Sequence, residues 1–228
     1  MKLPLVFWAT VAMLMQQALS SMAGFTIPVL VPPISRETGL DPGLVGLFVP
    51  LVYGGSMISS VMTGGLLLRL GAFRVSQICL LTTSLGLLIC THGSIAMFVL
   101  GGFILGLGNG PSTPAGSHVL ARYTTPRNAA MLFAVKQTGV PVGGMLAGAL
   151  LPIYAAFFDW RGAIVGAALM SLAFVIFGQP LRREFDSDRQ PGRSLKMMDV
   201  RATLTTVLRD ARIRRMAITI FVFTGQQV

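Results

Sequence analysis

Lys136 stands in an apolar stretch, 129–157, and is followed at once by Gln137 and Thr138 and by glycines at 139, 143 and 144. In a helix rising 1.5 Å per residue it lies about 12 Å beyond Asn128. An ionisable group at that depth in an apolar medium is costly to keep and marks a binding role by default. Its chemistry would be to hold an anion; the alternative is that the long stem carries the ammonium back to a polar boundary. Gln16 and Gln17 sit in the middle of another apolar stretch, 5–31, and Asn109 in a third, 96–121. Amides in a dry medium need partners. Those partners are either a bound polar solute or the side chains of neighbouring helices. Consecutive residues of a helix point about 100° apart, so at most one of Gln16 and Gln17 can face a common centre squarely.

The remaining titratable residues narrow the chemistry. No Asp or Glu falls inside any apolar stretch: Glu37, Asp41 and Asp159 lie between stretches or at an edge, and the other five lie at 184–210. A buried carboxylate that would bind a proton or a cation is therefore missing. The stretches hold no nucleophile–base pair, so an enzyme is not expected. His92 and His118 have no companion at ligand spacing, and neither a metal nor another cofactor is implied. Cys79 and Cys90 are eleven positions apart, about 16 Å along one helix. They cannot bridge each other and read as small buried hydrophobes. Tyr53 could face a cavity, but packing or a lipid-facing position fits it at least as well.

The elements that must position these residues follow from composition. The chain has 228 residues, 53% hydrophobic and only 11% charged, with a mean hydropathy of +0.72. So few polar side chains could not cover a water-soluble surface. Apolar stretches long enough for helical bilayer crossing run at 5–31, 44–68, 75–92, 96–121, 129–157 and 162–180. Short connections at 32–43, 69–74, 91–95, 122–128 and 158–161 make neighbours antiparallel. The expected fold is an all-α, polytopic transmembrane helical bundle over 1–180.

The net charge of +10 is a topology signal. With the N-terminus inside, Lys2, Arg69, Arg74, Arg122, Arg127 and ten basic residues from Arg182 to Arg215 all fall on the inner side. The outer side keeps Arg36 and Arg161, each near an acidic residue. This is the asymmetry of a plasma (bacterial-type inner) membrane protein with both ends of the six-span block cytoplasmic. No soluble domain offers a basic face, so nucleic acid is not an expected partner. Lys2, the apolar core behind it and Ala18-Leu19-Ser20 also suit a secretory signal, but apolar sequence continues through Val31, and cleavage would break the charge asymmetry. Residues 181–215 read as a cytoplasmic loop: a solvated linker at Arg182-Arg183-Glu184-Phe185-Asp186, then an amphipathic surface helix from Leu195. Residues 216–228 read as the start of a seventh span.

Small residues recur every fourth position in three stretches: Ser56, Ser60 and Gly64; Gly102, Gly106 and Gly110; Gly139, Gly143 and Ala147. Such faces allow close backbone approach in lipid, in a static bundle or a moving one. Asn109-Gly110-Pro111-Ser112-Thr113-Pro114 interrupts its stretch, and Pro141 interrupts the next. Breaks at membrane depth are tolerated where protein or a water-filled cavity satisfies the freed groups.

Gly65-Leu66-Leu67-Leu68-Arg69-Leu70-Gly71-Ala72-Phe73-Arg74 resembles the loop between the second and third helices of the major facilitator superfamily. The glycine-rich fourth stretch ending Pro114-Ala115, the entry Arg127-Asn128-Ala129-Ala130 and the run Gly139-Val140-Pro141-Val142-Gly143-Gly144 agree with it in order and spacing. The resemblance covers the whole chain, as the first six helices, the central loop and the start of the seventh. It implies a secondary transporter working by alternating access, with a second, C-terminal six-helix half as partner beside the lipid bilayer. It also implies a gating loop formed by Gly65, Arg69, Gly71 and Arg74. Two departures matter: the family's loop aspartate falls at Leu68, and an arginine found in proton-coupled members falls at Gly102. Helices 1 and 4 line the central cavity in that family, which makes Gln16, Gln17 and Asn109, with Lys136 and Gln137, the expected substrate-binding set. One lysine among amides favours a small polar or anionic organic solute. The competing expectation is a non-transporting six-span protein: a scaffold, a sensor module or an inactive truncation.

Overall fold

Helices account for nearly all of the computed structural model, which describes residues 5–190, 192, 205 and 208–225. In chain order they are α1 (Leu5–Thr38), a short turn α2 (Pro42–Gly46), α3 (Phe48–Leu70), α4 (Ala72–Cys90), α5 (Ile95–Asn109), α6 (Ser112–Ala121), α7 (Ala129–Gln137), α8 (Gly139–Phe177) and α9 (Arg182–Phe185), with a later helix at Ala211–Gly225. Backbone hydrogen bonding inside each helix is the condition for crossing lipid. Five segments are long and apolar enough to do so: α1, α3, α4, the α5–α6 pair, and the continuous run Ala129–Phe177.

The last of these makes two crossings. Asp159 is non-helical within it, at φ 63° and ψ 179°, and cross-helix contacts give the direction of each leg. Residues 139–158 run parallel to α1, because a Cβ at Gly139 would lie 2.7 Å from Leu14 O and one at Gly143 2.7 Å from Ser21 Cβ. Residues 160–177 run antiparallel to α4: Gln77 Nε2 donates to Val175 O at 3.1 Å and Ser84 Oγ to Ala168 O at 3.4 Å. The α5–α6 pair is antiparallel both to α1, through Gln16 with Ser112 and Ser20 with Asn109, and to α4, through Gly86 with Leu105 and Gly108 with Cys79. Hence α1 and α4 are parallel, and the chain reverses at Asp159. Six spans result: α1, α3, α4, α5–α6, α7 with 139–158, and 160–177.

Several boundaries differ from the sequence expectation. α1 continues past residue 31 to Thr38, through Pro32 and Pro33, because its end is held: Glu37 accepts from Trp160 Nε1 at 2.8 Å and pairs with Arg161. The expected 69–74 connection shrinks to Gly71 alone, with Arg69 in the last turn of α3 and Arg74 in the first turn of α4. The opening of the 181–215 segment is no solvated linker: Phe185 is fully buried and Asp186 nearly so. Of the expected surface helix, residues 193–204, 206 and 207 lie outside those described, as do 226–228 at the expected seventh span, whose helix runs to Gly225.

Two buried clusters fill the bundle, one around Leu30, Ile34, Phe48, Trp160 and Ile164 and one around Met13, Phe73, Val119 and Phe185. Close helix approach uses the small-residue faces. A Cβ at Gly106 would collide with Val52 O, one at Gly110 with Ser59, and one at Gly143 with Ala18 O. Gly64, by contrast, meets nothing within 4 Å.

Candidate functional site

The break in the fourth span creates the site. Gly110 and Pro111 separate α5 from α6, and Pro111 and Pro114 have no N–H to continue the helical ladder. This junction presents Asn109, Ser112 and Thr113 to the middle of α1, where Gln16, Gln17 and Ser20 fall within five residues.

Their side chains connect. Gln16 Nε2 donates to Ser112 Oγ at 2.5 Å, Ser112 Oγ to Ser20 Oγ at 3.1 Å, and Ser20 Oγ to Asn109 Oδ1 at 2.9 Å. Each hydroxyl both accepts and donates, so the chain of bonds points one way and its members polarise one another. Beside it, Thr113 Oγ1 donates to Gln17 Oε1 at 3.3 Å. Gln16, Ser20 and Ser112 are buried, whereas Thr113 is exposed and Asn109 half-buried. The cluster therefore opens along the Thr113–Asn109 edge. Both glutamines enter it, each through a different partner on α6.

Lys136 joins this cluster from the fifth span. Its side chain is 1% exposed, and Nζ donates to Thr113 O at 3.1 Å and Ser117 Oγ at 3.3 Å. The ammonium thus finds its partners on α6, within the bundle. A Cβ at Gly116 would lie 3.1 Å from Lys136 Cε and 3.4 Å from Gln16 Oε1, so the lysine and the glutamine converge over one glycine. Gln16 Oε1 is buried without a hydrogen-bond donor. Among the described residues the acidic side chains in ion pairs are Glu37 and Asp188, neither of them paired with Lys136. The site thus holds an ammonium solvated by two neutral oxygens, with an unused amide oxygen nearby. Gln137 makes none of these bonds; it is the next residue along the helix and is exposed.

At the end of the bundle that carries most of the arginines, a second constellation gathers around Gly71. This residue has φ 96°, a conformation that penalises a side chain, and a Cβ there would run into the Asp186 carboxyl. Asp186 Oδ1 accepts from Phe73 N at 2.8 Å and Oδ2 from Arg74 N at 3.1 Å. A carboxyl thus caps the first turn of α4, where free amides and the helix dipole favour negative charge. Burial raises its pKa above the ordinary 3.8, and the two backbone bonds and Arg182 pull it part of the way back. Leu68 leaves the loop without its own aspartate, and Asp186 brings a carboxyl to the same corner from after the sixth span.

The surrounding segment is tied down as well. Gln190 N donates to Leu68 O at 2.7 Å. Phe185 packs edge-on against Phe73 and Tyr123, each at 5.4 Å between centroids. Arg122 donates to Phe185 O and Asp188 Oδ1, both at 2.9 Å, and to Ser187 Oγ at 2.8 Å. His118 Nε2 lies 2.8 Å from Asp188 Oδ2. Residues 184–190 therefore clasp the second, third and fourth spans together. Arg69, Gly71 and Arg74 lie at this clasp; Gly65, about one and a half turns back along α3, lies outside it. The sequence signal for the clasp was Phe185 and its acidic neighbours, an aromatic residue inside an otherwise charged run.

A helical bundle of this kind, its legs alternating in direction and long and apolar enough to cross a bilayer, is an integral membrane protein. The model of the Major Facilitator Superfamily matches residues 13–228, and the chain belongs to that family of membrane transporters. No curated protein matches it.

Proposed function

We propose that the chain is one six-helix bundle of a secondary transporter that moves a small anionic or polar organic solute by alternating access. In this reading a second six-helix bundle completes the solute site along the Thr113–Asn109 edge, and the arginine-rich end faces the cytoplasm of a plasma membrane. The observation that carries it is the Lys136 ammonium, buried at 1% exposure beside the unpartnered Gln16 Oε1. Desolvating a charge is expensive unless a partner of opposite sign is supplied. A solute carboxylate arriving along the open edge would supply it, with Gln16, Thr113 and Asn109 available for its polar groups. Gly71 and the Asp186 clasp would act as the gate, since they join three spans at the end that must open and close. The test is ligand-dependent thermal stabilisation of the full-length protein by a panel of small mono- and dicarboxylates. At least one should raise the melting temperature of the wild type and leave Lys136→Gln unmoved. A panel that stabilises both proteins equally would remove Lys136 from the site.

A further inference from the structure

We propose that a cavity at the arginine-rich end of the bundle, separate from the solute site, binds the phosphate group of an anionic ligand. The cavity holds about 570 Å³ and is lined by Gln179, Arg182, Arg183, Asp186, Ser187 and Arg189. Three guanidinium groups and one carboxyl leave its lining two charges positive. That carboxyl is already committed, because both oxygens of Asp186 accept from the backbone of Phe73 and Arg74. The neighbouring Asp188 is likewise engaged by Arg122 and His118. Among the described residues, Arg182, Arg183 and Arg189 take part in none of the ion pairs. Arg182 feels the Asp186 charge at a distance; Arg183 and Arg189 are exposed.

Guanidinium groups present planar pairs of donors that match the oxygens of a phosphate. Gln179 and Ser187 complete the walls, with the Gln179 amide also donating to Val175 O at 3.2 Å and the Ser187 hydroxyl already donating to Glu184 O at 3.0 Å, so the guanidinium groups carry the recognition. The position also matters: Arg182 and Arg183 follow the sixth span after one short turn at Gln179–Leu181, and basic residues beside a span end attract anionic lipid. A lipid headgroup and a soluble phosphate share the chemistry that this cavity recognises. Binding there would brace the clasp, since Asp186, Ser187 and Arg189 belong to both.

Full-length protein in phosphatidylcholine nanodiscs distinguishes the sources. Melting temperature is measured in these discs alone, with inorganic phosphate added, and in discs doped with phosphatidylglycerol, all at matched ionic strength set with chloride, which controls for general screening. The wild type should melt higher with phosphatidylglycerol if the ligand is a headgroup, or with inorganic phosphate if it is soluble. Either shift should be lost in Arg183→Gln/Arg189→Gln, whose wild-type side chains make no hydrogen bond among the described residues and whose fold should survive. If that pair fails to fold, Arg189→Gln alone should at least halve the shift. The absence of a shift with both probes, or a shift that the variants keep in full, overturns the proposal.

Discussion

Replacing Asp186 by alanine removes both acceptors from the first turn of α4 and leaves the amides of Phe73 and Arg74 unbonded at a corner where Phe73 is fully buried. Two hydrogen bonds to a charged group would contribute about 3–6 kcal/mol if neither group had to be desolvated. Burial works against the ionised carboxyl, as its raised pKa shows, so the net loss should fall nearer the roughly 1–2 kcal/mol of a strong helix N-cap. For a chain of this size that corresponds to about 2–8 °C in melting temperature. The chain carries its own reporter: Cys79 and Cys90 are both buried, so a thiol-reactive fluorophore labels it as it unfolds. Asp186→Asn, which keeps one acceptor, should lose about half as much. The pH dependence has a definite sign. A carboxyl whose pKa is raised on folding contributes most below the unfolded value and loses that contribution as pH rises through the folded one. The gap between wild type and Asp186→Ala should therefore widen as pH is lowered towards 3.8. An Asp186→Ala protein that melts with the wild type at every pH would refute the clasp.

Gly106→Val should prevent stable folding, since a Cβ there meets the backbone of Val52; overpacking against an atom that cannot rotate away lies at or beyond the usual range of about 1–3 kcal/mol, and yield of monodisperse protein measures it. Ser112→Ala breaks the Gln16–Ser112–Ser20 chain and should cost about 0.6–1.7 kcal/mol of thermal stability, the range for a hydrogen bond between membrane helices. Trp160→Ala should cost about 3–5 kcal/mol, because Trp160 is 1% exposed and its Nε1 holds Glu37 while Arg161 stacks over its ring at 4.1 Å. Trp160→Phe should retain most of that stability and lose only the bond to Glu37, as read from melting curves.

The spans were legible because bilayer thickness acts on a simple quantity, the length of apolar sequence. Their exact ends were not, since they depend on tertiary partners: Trp160 and Arg161, remote in sequence, keep α1 helical past Pro32 and Pro33. Gln16, Gln17, Asn109 and Lys136 stood out by polarity against an apolar background, and three spans bring them together. Ser20 and Ser112 did not, because a lone serine in a membrane helix usually bonds its own backbone, and only the packing of α1 on α6 gives these two another use. Gln137 shows the converse, a polar neighbour left exposed beside the buried Lys136. The clasp was hidden in a segment whose composition reads as solvated, and its governing fact, that Asp186 caps a helix more than a hundred residues earlier, is purely a matter of three-dimensional proximity.

The central claim is that Lys136 receives the negative charge of a transported solute. Uptake of labelled small carboxylates into proteoliposomes containing the full-length protein tests it most directly, with wild type and Lys136→Ala reconstituted at equal density. The wild type should accumulate at least one carboxylate, and Lys136→Ala should fail to do so while inserting normally. Equal uptake by the two proteins, or uptake confined to neutral and cationic solutes, would contradict the account.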